Sequence, residues 1–217
     1  MELFLTVVSG LAWTLVYVEA IRLGFRDRTF AIPVAALALN FAWEAIYTIQ
    51  GFGTALSVQT FVNLAWALAD VVIVYTYLRF GRREFTAQLT GAMFAGWSAL
   101  LFGASFAVQL LFISEFGVSA AARYSAFLQN LLMSGLFISM LMARRGLRGQ
   151  SLTIAVAKWV GTLAPTLLFG VLEGSALIIG VGALCSVFDI VYIGLVLWAR
   201  RAFGAADASL GEARATT

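Results

Sequence analysis

The sequence contains no histidine. That absence removes the usual base of serine and cysteine nucleophiles, and with it the commonest metal ligand. A single cysteine, Cys185, excludes an intramolecular disulfide and any thiolate cluster for zinc. It is expected to be a small packing residue. There are two prolines, and charged residues make up only 12% of the chain, against about 25% in a soluble domain. Few prolines and few polar loops exclude a disordered chain. No glycine-rich phosphate loop is present. The acids stand singly, so no aspartate-rich cluster exists to hold a diphosphate through magnesium. What the chain has in excess is apolar surface, at 62% of 217 residues. A chain this short cannot hide so much in a core, and lipid is its expected solvent. The net charge of +3 is no nucleic-acid signal, because the basic residues lie in short clusters between apolar runs.

Apolar runs of about 20 residues span a hydrocarbon layer of about 30 Å. Seven are expected, at 3–22, 31–49, 59–79, 90–113, 122–143, 151–171 and 175–199. The fold class is therefore an all-α integral membrane protein, a seven-helix transmembrane bundle over residues 1–201. A small polar tail, 202–217, is expected to be disordered and cytoplasmic. The first run follows Glu2 with no basic segment ahead of it, unlike a signal peptide. Arg22, Arg26 and Arg28 follow the first run, Arg79, Arg82 and Arg83 the third, Arg144, Arg145 and Arg148 the fifth, and Arg200 and Arg201 the seventh. The positive-inside rule then places the N-terminus outside and the C-terminus in the cytoplasm. Asp70-Val71-Val72 in the third run echoes Asp189-Ile190-Val191 in the seventh, and a parallel internal repeat is one reading of this.

Carboxylates in mid-membrane are costly and mark function by default. Three lie well inside the runs. Rise per residue puts Glu44 roughly 20 Å, Asp70 roughly 14 Å and Asp189 roughly 15 Å from the basic end, compatible with one layer. Asn63, Gln129 and Asn130 lie at similar depth. Asn40, Trp43, Glu44 and Tyr47 fall on one helical face, as do Asn63, Trp66 and Asp70, and Ser186, Asp189 and Tyr192. Polar faces in lipid turn inward, so a pocket of carboxyls and amides among aromatic rings is expected. Each acid also has a structural reading. Asp70 can be a strut bonded to Asn63 or Asn130. Glu19 can pair with Arg22 or Arg26. Lys158 can snorkel to the interface, or neutralise Asp189 or Glu19. Glu115 and Glu173 are expected in water at the outer helix ends.

What this set permits is proton chemistry in an apolar cavity. A buried carboxyl keeps its proton more readily, and a neighbouring acid strengthens that effect. It can then act as a general acid. Aromatic faces stabilise a nearby cation by about 0.5–2 kcal/mol, and apolar walls exclude water.

The residues resemble the integral-membrane terpene cyclases of fungal meroterpenoid and indole-diterpenoid pathways, with their bacterial relatives that act on prenylated indole alkaloids. The stretches that carry the likeness are Asn40 through Trp43-Glu44 to Tyr47, Trp66 with Asp70, Gly149-Gln150-Ser151 followed by Lys158 and Gly161-Thr162, and Cys185 through Asp189 to Tyr192. The resemblance implies that Glu44 is the proton donor, that Asp189 is its essential partner and that Asp70 is a third acid of the pocket. Asn40, Trp43, Tyr47, Asn63, Trp66, Asn130 and Tyr192 would contact the substrate. It implies no metal and no cofactor, since an acid starts the reaction. The substrate would be a hydrophobic prenylated molecule, farnesyl-bearing, dissolved in the bilayer. The short chain leans towards a bacterial cytoplasmic-membrane protein. A small proton-coupled transporter is the rival, since it would use the same buried acids. A retinal protein is a poorer fit, because Lys158 lies in the sixth run and near the interface.

Overall fold

A computed structural model gives the fold as helices throughout. It describes the backbone of residues 1–54 and 56–215, and the side chains through residue 202 with the exception of Ala55. The tail expected over 202–217 lies almost entirely outside the described side chains. The helices are α1 (Glu2–Arg26), α2 (Val34–Thr54), α3 (Val58–Phe80), α4 (Gly91–Arg144), α5 (Leu152–Pro165) and α6 (Ala176–Ala215). A short 3-10 turn (Gly81–Glu84) follows α3, and a π-helical turn (Thr166–Leu172) extends α5. Among the described residues, five helical segments are long and apolar enough to cross a bilayer. Leu11, Leu68, Leu111 and Val187 are 59–68% exposed, which water would penalise and lipid does not. The chain is an integral membrane helix bundle.

Local chemistry sets the helix boundaries. Ser57, Thr90 and Ser151 cap α3, α4 and α5, each accepting a backbone N–H three residues on, at 3.2 Å. The sequence suggests a loop between residues 114 and 121, but helix persists on both sides. The break is at Gly117 alone, with φ 73° and ψ 163°, a conformation essentially reserved for glycine. Pro165 ends α5 for a different reason. It has no N–H, so the Gly161 carbonyl one turn back has no helical donor. Ser9 of α1 donates to that carbonyl at 2.8 Å. A Cβ on Gly161 would lie 3.0 Å from the Trp13 ring. The absence of a side chain there is what lets α1 and α5 pack closely.

Helix α1 packs on α3 and α5, α2 on α3 and α4, and α6 on α4 and α5. The main core runs from Val16, Leu23 and Ile73 to Phe137, Ile154 and Tyr192. A polar clasp ties the loops at the basic end. Glu84 accepts from Arg144 at 2.7 Å, pairs with Arg148 and accepts the Thr29 hydroxyl. Arg144 also donates to the carbonyl of Phe30 at 2.9 Å and lies over its ring. Asp27 accepts the Gly149 N–H at 2.8 Å. Arg144 and Glu84 side chains are 8% and 12% exposed, so water replaces these bonds poorly. Glu84→Gln is expected to cost about 1.5–3 kcal/mol, the range for hydrogen bonds to charged groups. The readout is a lower thermal midpoint in detergent; an unchanged midpoint would show that the clasp holds nothing.

Candidate active site

A cavity of about 620 Å³ lies between α1, α2, α3, the second half of α4 and α5. That is the size of a small-molecule site. Its polar groups gather at Tyr17, Asn40, Glu44, Gln129 and Asn130. The rest is mainly aromatic and aliphatic, with Trp13, Trp43, Trp66, Phe127, Met133, Leu168 and Phe169. The starts of α1 and α3, the segment after Gly117 and the end of α5 all contribute walls. The cavity therefore extends towards the end of the bundle opposite the basic clasp.

Asn40 organises the polar floor. Its Nδ2 donates to the Tyr17 hydroxyl at 2.6 Å and to Asp70 Oδ2 at 2.9 Å. Its Oδ1 accepts from Gln129 at 3.4 Å, and Gln129 accepts from Gln109 at 2.9 Å. One amide thus joins α1, α2, α3 and both halves of α4. The Tyr17 oxygen accepts from Asn40, so its own hydrogen is left to donate. Glu44 is the acid that faces it, with Asp70 also near. Glu44 is 3% exposed and Asp70 is fully buried. Glu44 Oε2 and Asp70 Oδ1 each lack a hydrogen-bond partner. The floor holds two carboxyls, and the described bonds give neither of them a cation.

Asp189 is not part of this floor. It takes two hydrogen bonds from Lys158 Nζ, at 2.8 and 3.0 Å, and Nζ gives a third to Ser134 at 2.7 Å. All three donors of the ammonium are used, and both ions are fully buried. Of the alternatives for Lys158, pairing with Asp189 is the one formed. The pair reaches the cavity wall indirectly. Ser134 donates to the Asn130 carbonyl at 2.9 Å, Thr162 donates to the Lys158 carbonyl at 2.9 Å, and Asn130 donates to Thr162 at 2.6 Å. Asn130 and Thr162 line the cavity; Lys158 and Asp189 do not.

The other residues singled out from the sequence divide in the same way. Glu44, Asn40, Trp43, Trp66 and Asn130 line the cavity. Trp43 is fixed by donating to the Ala122 carbonyl at 3.0 Å. Trp66 donates to Thr14 at 3.2 Å and stacks on Tyr17. Asp70 stands behind Asn40, which is its partner in place of Asn63 or Asn130. Tyr47 sits behind Trp43, with ring centroids 4.7 Å apart. Asn63 is buried and accepts from Gln59 at 2.6 Å, and Gln59 is the one at the wall. Tyr192 points to the basic end and donates to Gln150 at 2.9 Å. Glu19 pairs with Arg22 at 2.6 Å. Glu173 pairs with Arg123. Tyr17 and Trp13 also line the cavity, and neither carries a charge that would mark it in the sequence. Their signal was the face Ser9, Trp13, Tyr17, spaced by four along α1. Among the described residues, no three carboxylate or thiol groups converge in a set that could hold a metal ion.

Residues 1–202 match the family model of the Pyr4-like transmembrane terpene cyclases. The chain is 29% identical over 169 residues to the Pyr4-family terpene cyclase mfmH of Annulohypoxylon moriforme, covering 76% of this chain and 68% of that protein. It is 29% identical over 155 residues to the terpene cyclase pyr4 of Aspergillus fumigatus, covering 71% and 64%. It is 25% identical over 160 residues to the asnovolin H synthase nvfL of Aspergillus novofumigatus, covering 73% and 65%. The matched stretch thus spans about two thirds of each relative's length. These relatives are fungal and give no support to the bacterial placement expected from the short chain. No solved structure matches this chain.

Proposed function

This chain belongs to the Pyr4-like transmembrane terpene cyclases, and on that footing we propose that it closes rings in a prenylated substrate dissolved in the bilayer, with Glu44 as the acid that starts the reaction. The observation that carries this reading is the Glu44 carboxyl. It is buried on the floor of an aromatic cavity, with one oxygen unpartnered and a second acid close by. An ionised carboxylate there would need several donors, and the Tyr17 hydroxyl is the one the floor turns towards it. A proton on Glu44 satisfies the site and supplies the reagent.

The steps follow from the walls. Glu44 gives its proton to the terminal alkene or epoxide of a farnesyl-type chain. The cation that forms is attacked by the next double bond, and each closure moves the charge along the chain. Trp43, Trp66 and Tyr17 present π-faces to that charge. The apolar walls keep water from trapping it. Loss of a proton to a carboxylate or water ends the sequence, so an alkene substrate isomerises without change of mass. Asn40 and Tyr17 orient the Glu44–Asp70 pair. Tyr47 supports Trp43 from behind, and Asn63 holds Gln59 at the wall. Asp189 acts through Lys158 on the Asn130–Thr162 wall, as a positioning residue.

Helix lengths support seven passes. At 1.5 Å per residue, the 21 residues of α2 reach about 31 Å, and each half of α4 exceeds that. Asn40, Glu44 and Gln50 lower the hydropathy of α2, and the first two of these face the cavity. The basic clasp then lies in the cytoplasm, with the N-terminus outside.

The test is incubation of the purified protein in detergent with prenylated phenols and indoles. Appearance of a mass-neutral cyclic isomer is the expected result. No product with any substrate, together with uptake of a polar solute into proteoliposomes, would instead make it a transporter. Asp70→Asn keeps the shape and removes the second acid. Cyclisation is expected to fall about tenfold, less than the roughly 10²–10⁴-fold that a direct proton donor contributes. An unchanged turnover rate would reduce Asp70 to a strut.

A further inference from the structure

The cavity has two chemically different ends, one of them the carboxyl floor. The other end is built around Arg123, in the second half of α4. Of the cations in the sequence, every one but Arg123 and Lys158 falls in the runs 22–28, 79–83, 144–148 and 200–214. Lys158 is consumed by Asp189. Arg123 is thus a lone cation at the rim, far from the basic clasp.

Its surroundings look like a site rather than packing. The guanidinium lies over the Phe169 ring, 5.4 Å from its centroid, and pairs with Glu173. Its other terminal nitrogen reaches Ser119 only at 3.5 Å. Arg123 and Phe169 line the large cavity and also a second cavity of about 480 Å³, which extends past Gly117 to Tyr124 and Glu173. Arg123 and Phe169 therefore stand between the two cavities, and Glu173 lies on the side of the smaller one. The side chains of Arg123 and Glu173 are 39% and 46% exposed, so a ligand can reach them. Arginine has five donors in a planar fork, and the bonds described here leave several of them free.

The orientation of the substrate follows from the Glu44 assignment, and the inference rests on it. The reacting terminus of the prenyl chain must lie at the floor, so the part of the molecule that is not prenyl must lie at the rim. Arg123 is six residues from Gln129, whose side chain bonds Asn40 on the floor. That separation is about 9 Å along the helix axis before side-chain length is added. We propose that Arg123 and Phe169 bind the head group of the substrate, a planar ring bearing carbonyl or phenolic oxygen, with the guanidinium bonding the oxygen and the phenyl ring stacking on the plane. Glu173 holds Arg123 in place until the head group arrives. The prenyl length between head and floor then decides which double bond meets Glu44.

The probe is a farnesyl-length phenol with its chain fully saturated, which cannot be protonated and cyclised. Its binding is read by quenching of tryptophan fluorescence, since Trp13, Trp43 and Trp66 line the cavity. Arg123→Gln is expected to weaken binding about 10–100-fold, the loss of a charge-assisted hydrogen bond. It should not affect the plain saturated hydrocarbon of the same length. Glu173→Gln leaves the cation in place and should bind the phenol at least as tightly as the parent protein. Wild-type affinity in Arg123→Gln overturns the inference. So does equal weakening by both variants, which is the signature of a structural ion pair. If Arg123→Gln does not fold, Arg123→Lys carries the test: weakened binding of the phenol but not of the hydrocarbon supports the fork geometry, and binding of the phenol as tight as in the parent protein overturns it. A failure of the Glu44 assignment is separately visible, as normal cyclisation by Glu44→Gln with binding of the saturated probe still dependent on Arg123.

Discussion

Glu44→Gln should abolish ring closure, by at least the roughly 10²–10⁴-fold that a positioned proton donor contributes, and leave the bundle folded. The two side chains have nearly the same shape, so the cavity floor keeps its volume. The amide can still meet Tyr17, and its NH₂ can occupy the place where Oε2 now has no partner. Stability should therefore be close to unchanged. What the amide cannot do is release a proton to an alkene. Glu44→Asp tests position with the acid retained. It draws the carboxyl back by one methylene, about 1 Å, a misplacement that can cost a hundredfold. The pair of variants thus separates chemistry from geometry. Substrate binding should survive in both, because the walls that hold the prenyl chain are untouched. Cyclisation by Glu44→Gln at the normal rate would remove the acid from Glu44 and leave Asp70 as the next candidate.

Much of this was legible in the sequence, and the reason is the period of the helix. The i, i+3, i+4 spacing put Asn40, Trp43 and Glu44 on one face, and all three meet at the cavity. Trp66 and Asp70 share a face of α3 for the same reason, and their side chains do converge on Tyr17 and Asn40. Other features were not legible, because they depend on how helices rotate against one another. Asp70 bonds Asn40 rather than either of the other two asparagines, a choice that spacing along α3 cannot make. Tyr192 is three residues from Asp189, which swings it about 60° round α6 and leaves its long side chain reaching Gln150 at the basic end. Tyr17 carries no charge and stands in an apolar run, so only its spacing from Ser9 and Trp13 along α1 marked it. Residues 114–121 carry Ser114, Glu115 and Ser119 and so look like a loop. Only the backbone angles show that Gly117 breaks the helix by itself.

The second large effect concerns the buried ion pair. Asp189→Ala should destabilise the protein by about 3–5 kcal/mol, because it leaves the Lys158 ammonium buried without its counter-ion. Lys158→Met should do the same from the other side. The double variant Lys158→Met with Asp189→Leu removes both charges and should regain most of the lost stability, since an apolar pair of similar volume is often as stable as a buried ion pair. Activity is expected to behave differently. The ammonium also holds the Ser134 hydroxyl at 2.7 Å, and Ser134 and Thr162 carry that restraint to Asn130 at the cavity wall. Without the ion pair the wall is free to shift, and a shift near 1 Å is enough to spoil the approach of a double bond to Glu44. The refolded double variant should therefore turn over at least about tenfold more slowly than the parent, with a mixture of rings in place of one product. Thermal unfolding in detergent and product chromatography on the same preparations read the two effects apart. A double variant that is both stable and fully active would show that Asp189 only keeps Lys158 neutralised, and that its link to the wall has no part in the reaction.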